Sequence, residues 1–580
     1  MTNYSSSKQF ANGYPTPGPQ HPGPQNVMDH VFFLSEAGWK DAREQEQFDY
    51  IIIGSGFCSL AFAERILTGA PHSKILIVER GPFFLPEHFQ NLPLPYQHTL
   101  GGLSETFPWT LARSTALQSA GNINFQHGMV PFFGGRSIMW SAWCPRPTVD
   151  EMQYWPEQTI AAAQRNFSSA EKLLNVVPAD QIDAHRGPEL MAHIARQRPV
   201  YGLLQHSLQE MLQSNLKQVS TATRCMAAPL AVGAGQQEGL DFAKFSTPSV
   251  MLDLAAKQAQ LNEVNLGAPL EIVANCVVNR IIEQDGVATA LDTSRGMLSI
   301  GSAKLVLAMG TLPPTTLMLN SFPKVKQAGE RFTAHFITSV VARIPRKEYP
   351  FADQLAELEL AAIYMAGKNP DSGMQYHVQL SVLSDLAPAK NAQKAARYMP
   401  DVVATASPVQ LESSQDYLVF VCAVLGEIDF RNPNNHLRLN GQNDPTTNVT
   451  LQVLASATDR ATWDTMDTAT FEMLEKALSP RPGCVQYWHG DPKTGNWSAE
   501  RPSVADRRVG GLVHEGSSLW IGENGEGVVG LDYRPHGVHN VYVTGGALWP
   551  ASGSWNPTMT MVALAQDLAD QLLAQADRVA

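Results

Sequence analysis

Apolar residues fall into short unbroken runs near residue 50 and again near the C-terminal end, with a less regular mixture between. "YIII" (Tyr50–Ile53) and "KILIVE" (Lys74–Glu79) are such runs. Runs this short, without alternation, predict strands covered on both faces. Between them, Phe57–Thr68 places Leu60, Ala61, Ala63 and Leu67 where one helix could pack them. Strand, helix and strand in close succession predict a βαβ unit with parallel strands. From Gly81 to about Pro131 the periodicity fades into loops rich in Pro, Phe and Gly. "VPFFGGRSIMWSAWCPRP" (Val130–Pro147) is a Gly-Gly turn followed by aromatics. Ala161–Gln218 is amphipathic and predicted helix-rich, and Thr247–Ala256 predicts a helix entered at a proline. Ile272–Ile282 and Ser302–Gly310 read as β-structure. Pro323 to about Arg507 is mixed, with β-like pieces such as Asp416–Val424. The pattern sharpens again at Asn540–Gly546, a strand, and Pro557–Leu573, a helix with proline in its first turn. No internal repeat is visible.

Composition narrows this picture. A chain of 580 residues exceeds what one core usually spans, so two domains, or one domain with a large elaboration, are expected. The formal net charge of −12 speaks against nucleic acid, which calls for a basic face. The six cysteines (Cys58, Cys144, Cys225, Cys276, Cys422 and Cys484) include no CxxC pair, so no metal site and no disulfide framework is expected. Met1–Gln25 is rich in Ser, Gly, Pro and Gln without an apolar core, and no run reaches the length of a membrane span. The expectation is a cytoplasmic protein without a membrane or nucleic-acid partner, and with a disordered N-terminal tail.

The first candidate chemistry is the turn between the two opening strands. Gly54 permits a tight turn, Gly56 lets backbone approach a pyrophosphate, and Ser59 is small enough for the helix to pack closely. The helix N-terminus offers unpaired N–H groups and a partial positive charge to phosphates. Glu79, closing the second strand, is placed to accept hydrogen bonds from ribose hydroxyls and disfavours a 2′-phosphate. This reads as a dinucleotide site, but the turn by itself does not separate FAD from NAD, and a βαβ unit without ligand stays open.

Three further stretches bear on that choice: "FGGRSIMWSAW" (Phe133–Trp143), "LVHEGSSLWIG" (Leu512–Gly522) and "NVYVTGGALWPASGSWNPTMTMVALAQDLADQL" (Asn540–Leu572). Together with the turn and Glu79, they resemble the glucose-methanol-choline (GMC) flavoprotein oxidoreductases. In the "GGRSIMW" loop and "GSWNPT" the resemblance is to the pyranose oxidase and gluconate dehydrogenase branch. It implies an α/β fold with a Rossmann-like FAD-binding domain, discontinuous in sequence, and a substrate domain of mixed sheet plus helices, the architecture shared with p-hydroxybenzoate hydroxylase. The expected division is an N-terminal arm, disordered or extended, over 1–45; FAD-binding parts over 46–150, 246–325 and 506–580; and substrate-domain parts over 151–245 and 326–505.

Carried over residue by residue, the resemblance implies that His514 is the general base and Asn556 holds the substrate oxygen. Oxidising an alcohol to a carbonyl removes a hydroxyl proton and an α-hydride; histidine suits the proton, and the flavin takes the hydride. Asn556 before Pro557 is also what a helix N-cap looks like, and the two roles are compatible. Cofactor contacts are implied for Gly54, Gly56, Ser59, Glu79, Arg80, Gly134, Gly135, Ser137, Met139, Trp140, Ser141, Val277, Gly310, Gly545, Gly546, Ala547, Asn556, Pro557 and Thr558. The branch can carry a histidine that bonds covalently to the flavin where Met139 stands here, so non-covalent FAD is expected. Gly545 replaces a frequent aspartate of the family, which leaves backbone to make the contacts there.

The reading implies a small alcohol or carbohydrate as substrate (a sugar, glycoside or polyol, or another alcohol), and O2 or another electron acceptor. An oligomer is compatible with it. His489, His536 and His539 read as surface or structural. The tryptophans near the motifs (Trp140, Trp143, Trp520, Trp549 and Trp555) read as core, with some lining a substrate pocket. Two other readings stand beside this one. A GMC-type chain could catalyse a different reaction, as a lyase or a light-driven decarboxylase, or bind flavin for structure alone. An NAD-dependent Rossmann dehydrogenase would explain Gly54, Gly56 and Glu79 but leave His514 and Asn556-Pro557 without a role.

Overall fold

The computed structural model describes residues 28, 32–45, 47–94, 116–117, 130–182, 200–232, 243–400, 406–523 and 525–579. Strands β1 (Tyr50–Ile53), β2 (Ile75–Val78), β3 (Leu270–Val273) and β4 (Lys304–Leu307) join Val541–Val543 in one parallel sheet. The strand order is Val541–Val543, β4, β1, β2, β3. Every residue of β1 and β2 is buried, which is why their sequence does not alternate. Four helices serve this layer and its seam: α1 (Phe57–Gly69), α2 (Glu157–Leu173), α3 (Thr247–Glu263) and α4 (Thr558–Val579). α4 packs on both α1 and α2. Arg65 pairs with Asp570 through two hydrogen bonds of 2.7 and 2.9 Å, and Arg165 pairs with Asp567 at 2.9 Å.

The second layer is a larger sheet. Strands β5 (Thr333–Pro345), β6 (Leu358–Lys368), β7 (Gln375–Asp385) and β8 (Tyr417–Glu427) form its centre, in the order β5, β8, β7, β6. All these pairings are antiparallel. Ala222–Ala227 extends the β6 edge, and β9 (Arg508–Gly516) pairs with β5. One face packs Phe336, Val340, Tyr376, Val378 and Leu380 into an apolar core with the helix Leu203–Asn215. The opposite face belongs to the core shared with the parallel layer. There the sheet presents His335, His377, Gln379, Ser381 and Glu427, each 4 % exposed or less. A buried polar face is unusual, because each polar group there must find a partner or a ligand.

Several expectations change. The arm to residue 45 is not wholly disordered or extended: Glu36–Glu44 is a helix, capped by Ser35, whose Oγ accepts from Gly38 N, and anchored by buried Trp39. Most of the arm, including Met1–Gln25, lies outside the described residues. Ile272–Ile282 is two strands. After β3 the chain turns at Asn275 (φ +52°) and enters a separate three-stranded sheet at Val278–Gln284. The turn is fixed because Asn275 N donates to Gly81 O and Cys276 N to Glu79 O. The helix-rich stretch Ala161–Gln218 also holds a short strand, Val176–Pro178. β9, which carries His514, is hydrogen-bonded into the large sheet rather than the parallel one, so the expected boundary at 506 does not follow strand pairing. The loops expected from Gly81 to Pro131 fall largely outside the described residues. Among the described residues no helix is long and apolar enough to cross a membrane.

Candidate active site

The Gly54–Gly56 turn is built as the sequence leads one to expect, and its centre is Ser55. Gly54 has φ +98°, and a Cβ there would lie 2.7 Å from Ala308 O, so only glycine fits. Ser55 Oγ donates to Glu79 Oε2 at 2.6 Å and accepts from Gly134 N at 2.9 Å. The other Glu79 oxygen accepts from Gly81 N at 2.9 Å. Burial pushes the Glu79 carboxyl up to about 7, and the bonds from Ser55 and Gly81 oppose that shift. The N-terminus of α1 has no side-chain cap. A Cβ on Gly56 would meet only Gly134 O, at 3.9 Å, so the backbone there is open to a ligand.

The Gly-Gly loop is fastened onto this turn. Ser137 Oγ donates to Gly134 O at 2.7 Å and accepts from Thr247 N at 2.9 Å, while Thr247 Oγ1 lies 3.2 Å from Ser55 O. A Cβ on Gly134 would lie 2.6 Å from the Pro248 side chain at the start of α3. Ser137 is fully buried and bonded within the loop, so the structure places it as a brace. Met139 packs with Leu85, Phe89, Val130 and Ile138. Trp140 sets its ring edge against Phe57 at 4.7 Å and donates from Nε1 to Phe245 O. Ser141 is half-buried.

Of the remaining expected contacts, Arg80 is half-buried, its guanidinium pKa lowered by burial. Ser59 is buried in α1 with its hydroxyl unpaired. Val277 lies next to Cys276; its N–H donates to Ser294 Oγ and its carbonyl accepts from Ser294 N. Gly310 has φ +79° and nothing within 4 Å of where a Cβ would be. Gly545, φ +98°, would place a Cβ 3.1 Å from Gly310 O, which explains why a side chain is missing at this position. Gly546 O accepts from Ser517 N and Ala547 O from Leu519 N, joining this segment to the chain just beyond β9. Pro557 O accepts from Met561 N in the first turn of α4, which Thr558 opens.

His514 sits in a β-bulge. Between the pairs Thr333–Gly516 and His335–Val513, β5 has one residue and β9 has two, His514 and Glu515. Such bulges re-aim a side chain. His514 has φ +62°, a left-handed conformation that costs a non-glycine residue about 1–3 kcal/mol. Its Nδ1 lies 2.9 Å from Nδ1 of His335, and the rings meet edge-on at 4.9 Å. His377 stands 6.4 Å beyond His335 and stacks on Tyr364 at 4.8 Å. Burial pushes His335 down to about 4 and His377 well below the ordinary imidazole value. Glu515, beside His514, is held by Arg136 of the Gly-Gly loop through two hydrogen bonds, of 2.5 and 2.7 Å.

Asn556 is 3 % exposed and takes a hydrogen bond from Gln379 Nε2 to its Oδ1 at 2.8 Å. This fixes the amide so that its NH2 is the end left to donate. The loop before it is pinned by Gly553 N, which donates to Glu427 at 3.0 Å. Burial pushes Glu427 up to about 7. His514 and Asn556 thus both attach to the buried polar face of the large sheet, one through His335 and the other through Gln379, next to His377 on the same face of β7. Among the described residues, several polar atoms of this region have no partner in hydrogen-bonding geometry: both nitrogens of His377, Tyr364 OH, Ser381 Oγ, Trp549 Nε1 and Ser552 Oγ. Of the tryptophans, Trp549 and Trp555 stack at 5.6 Å, and Trp520 carries the Arg331 guanidinium at 4.2 Å. Trp143 is fully buried in the core. His536 and His539 are exposed, and His489 contacts the Glu500 carbonyl; none of them bonds to this group.

Sequence reasoning missed Ser55, Arg136, Thr247, His335, His377, Gln379 and Glu515. For β7 a signal existed: "QYHVQLSVL" alternates polar and apolar residues. Alternation ordinarily means a solvent-facing side, and only the fold shows that side to be buried. Among the described residues no cluster of three or more His, Cys, Asp or Glu side chains could hold a metal ion. Residues 432–565 match the protein family described as GMC oxidoreductase. No curated protein matches the chain.

Proposed function

The chain belongs to the GMC oxidoreductases, a family of flavin enzymes, and we propose that it oxidises a CH–OH group to a carbonyl with non-covalently held FAD. The observation that carries this reading is His514. It is a strained histidine in a β-bulge, hydrogen-bonded to a second imidazole and on the same buried polar face as the Asn556–Gln379 pair. The glycine cradle fits a dinucleotide: Gly56 and Gly310 leave open space where side chains would project, and Glu79 can receive ribose hydroxyls beside Ser55. Gly54, Gly56 and the α1 N-terminus would hold the pyrophosphate, and the loop at Gly134–Ser141 with the start of α4 would border the flavin ring. Bound there, FAD supplies the acceptor for the substrate hydride.

The chain's own residues do the rest. His514 removes the hydroxyl proton. Asn556, its amide oriented by Gln379, donates to the substrate oxygen and holds it near the base. The unpaired polar atoms of His377, Tyr364 and Ser381 favour a substrate with several polar groups, such as a sugar or polyol. Purified protein should be yellow and release its flavin on acid precipitation. A panel of alcohols and sugars, mixed anaerobically, should include at least one that bleaches the flavin. His514→Ala should slow that bleaching by about two to four decades. A protein that takes up no FAD refutes the reading, and an unchanged bleaching rate removes His514 from the role of base.

A further inference from the structure

We infer that His88 is a positioning residue for the cofactor loop: by fixing the Trp140 carbonyl, it holds out a strip of backbone N–H groups, Trp140 to Ala142, as donors to the flavin. This rests on the reading that FAD lies against the Gly134–Ser141 loop.

The strip lies between two ordinary backbone bonds. Met139 N donates to Arg136 O at 3.0 Å, and Cys144 N donates to Pro229 O at 2.8 Å. Between them, the N–H groups of Trp140, Ser141 and Ala142 meet no acceptor among the described residues. Ala142 is fully buried, and a buried N–H seldom goes unpaired unless a ligand takes it. Ala142 also has φ +69°, a strained conformation of the kind that gathers at ligand sites. Yet the strip is held through its carbonyls. Ala142 O accepts from Ala231 N at 2.8 Å, and Trp140 O lies 2.5 Å from His88 Nε2. A trans peptide points its C=O and the following N–H in opposite directions. A Trp140 carbonyl fixed on His88 therefore keeps the Ser141 N–H facing away from His88.

Hydrogen bonds at both ring nitrogens set the tautomer of His88. Nδ1 accepts from Gln90 N at 3.1 Å, so the proton of the neutral ring sits on Nε2, the atom that donates to Trp140 O. His88 is fully buried, and that burial, with the charge of Lys244 nearby, keeps the ring neutral. The turn that carries it, Phe89–Asn91, is itself held. Lys244 Nζ donates to Gln90 Oε1 at 2.5 Å, to Met399 O at 2.9 Å and to Pro400 O at 2.7 Å. Asn91 Oδ1 accepts from Lys244 N at 2.9 Å, and Asn91 Nδ2 donates to Lys244 O at 3.1 Å. The next residue, Phe245, accepts the indole N–H of Trp140 at 2.7 Å. One short piece of chain thus fixes both His88 and the residue that His88 holds. Fixed N–H donors bind an anionic acceptor more strongly than a neutral one, so the strip favours the reduced flavin over the oxidised.

The test needs no alcohol substrate. FAD affinity is read by fluorescence titration of apoprotein, and the flavin midpoint potential by reductive titration against redox dyes. His88→Asn keeps an acceptor for Gln90 N, but its shorter amide does not reach Trp140 O. His88→Gln is long enough to donate there. The Asn variant should bind FAD about tenfold more weakly, the effect of one lost hydrogen bond, and its midpoint potential should fall below that of wild type. The Gln variant should bring both values back towards wild type. A merely structural role would show in the melting temperatures and leave the potential where it was. Equal potentials in all three proteins overturn the inference, and so does a Gln variant no nearer to wild type than the Asn variant. If the variants do not fold, hydrogen exchange of the wild type decides: FAD should slow exchange in the peptide that spans Trp140–Ala142, and an unchanged rate overturns the inference. Failure of the functional reading looks different. A wild type that takes up no FAD refutes that reading and this inference with it, whereas equal potentials in FAD-loaded proteins refute only the role of His88.

Discussion

Ser55→Ala isolates what holds the two halves of the dinucleotide cradle together. Ser55 is 1 % exposed, and its hydroxyl serves two buried partners, the Glu79 carboxylate and the Gly134 N–H. Alanine fits the space but serves neither. A buried group left without its hydrogen bond costs about 1–3 kcal/mol, so the two losses together amount to about 2–6 kcal/mol. The Gly134 loop loses its tether to the turn, and Glu79, already pushed up to about 7, loses its side-chain donor, keeps the backbone groups of Gly81 and Ser55, and is driven further towards its protonated form. If only the lower figure must be restored when FAD binds, affinity falls about thirty-fold.

The assay is titration of apoprotein with FAD, followed by flavin fluorescence, beside a thermal melt of the apoprotein. The Ser55→Ala/Glu79→Gln cycle then shows whether Ser55 acts through Glu79, because the effects of hydrogen-bonded partners do not add. An FAD affinity within threefold of wild type, with an unchanged melt, would refute the assignment of Ser55 as the link.

Two further predictions concern the polar face. Gln379→Leu removes the donor to Asn556 and lets its amide turn; the rate of flavin reduction should fall about tenfold with FAD content unchanged, and stopped-flow bleaching checks this. Glu427→Gln tests the raised carboxyl beneath the Gly553 loop. With a folded value of about 7 and an unfolded value of about 4.3, Glu427 binds its proton more tightly when folded. Its contribution is therefore present below about pH 4.3 and is lost as pH rises towards 7, by roughly 4 kcal/mol. Melting wild type and variant side by side should show the variant gaining on the wild type across that window; a gap that does not change with pH would mean the group is not held protonated.

What could be read from the sequence was local. The turn, its strands and Glu79 lie within one βαβ unit, where hydrophobic periodicity and glycine placement report on each other directly. Ser55, between two glycines, carries no local signal of its role because its partners lie 24 and 79 residues away. Ser137 reads as a cofactor contact from its place in the loop, and the structure adds bonds to Gly134 O and from Thr247 N, 110 residues on, that no local pattern shows. His335 is 179 residues from His514, and no spacing rule connects them. Their contact depends on a bulge in the pairing of β5 with β9. The polar face of β7 is not legible for a related reason: alternation reports that two sides of a strand differ, not which of them meets water.

The seam between the layers explains why the base can be both strained and well placed. Just past the bulge, the chain is joined to the parallel layer's side of the molecule: Thr311 Oγ1 donates to Glu515 O at 2.6 Å, Ser517 N to Gly546 O, and Leu519 N to Ala547 O. The carboxylate of Glu515 reaches across to Arg136 in the Gly-Gly loop. On its other side the same strand is hydrogen-bonded into the large sheet through β5. His514 therefore stands where two independently built layers fix one short piece of backbone from opposite sides. A left-handed residue costing about 1–3 kcal/mol persists only under such over-determination. A histidine on a free loop could relax to an ordinary conformation and lose its aim. Here relaxation would have to break bonds in one layer or the other, so the placement of the base relative to the cradle is set by how the layers dock.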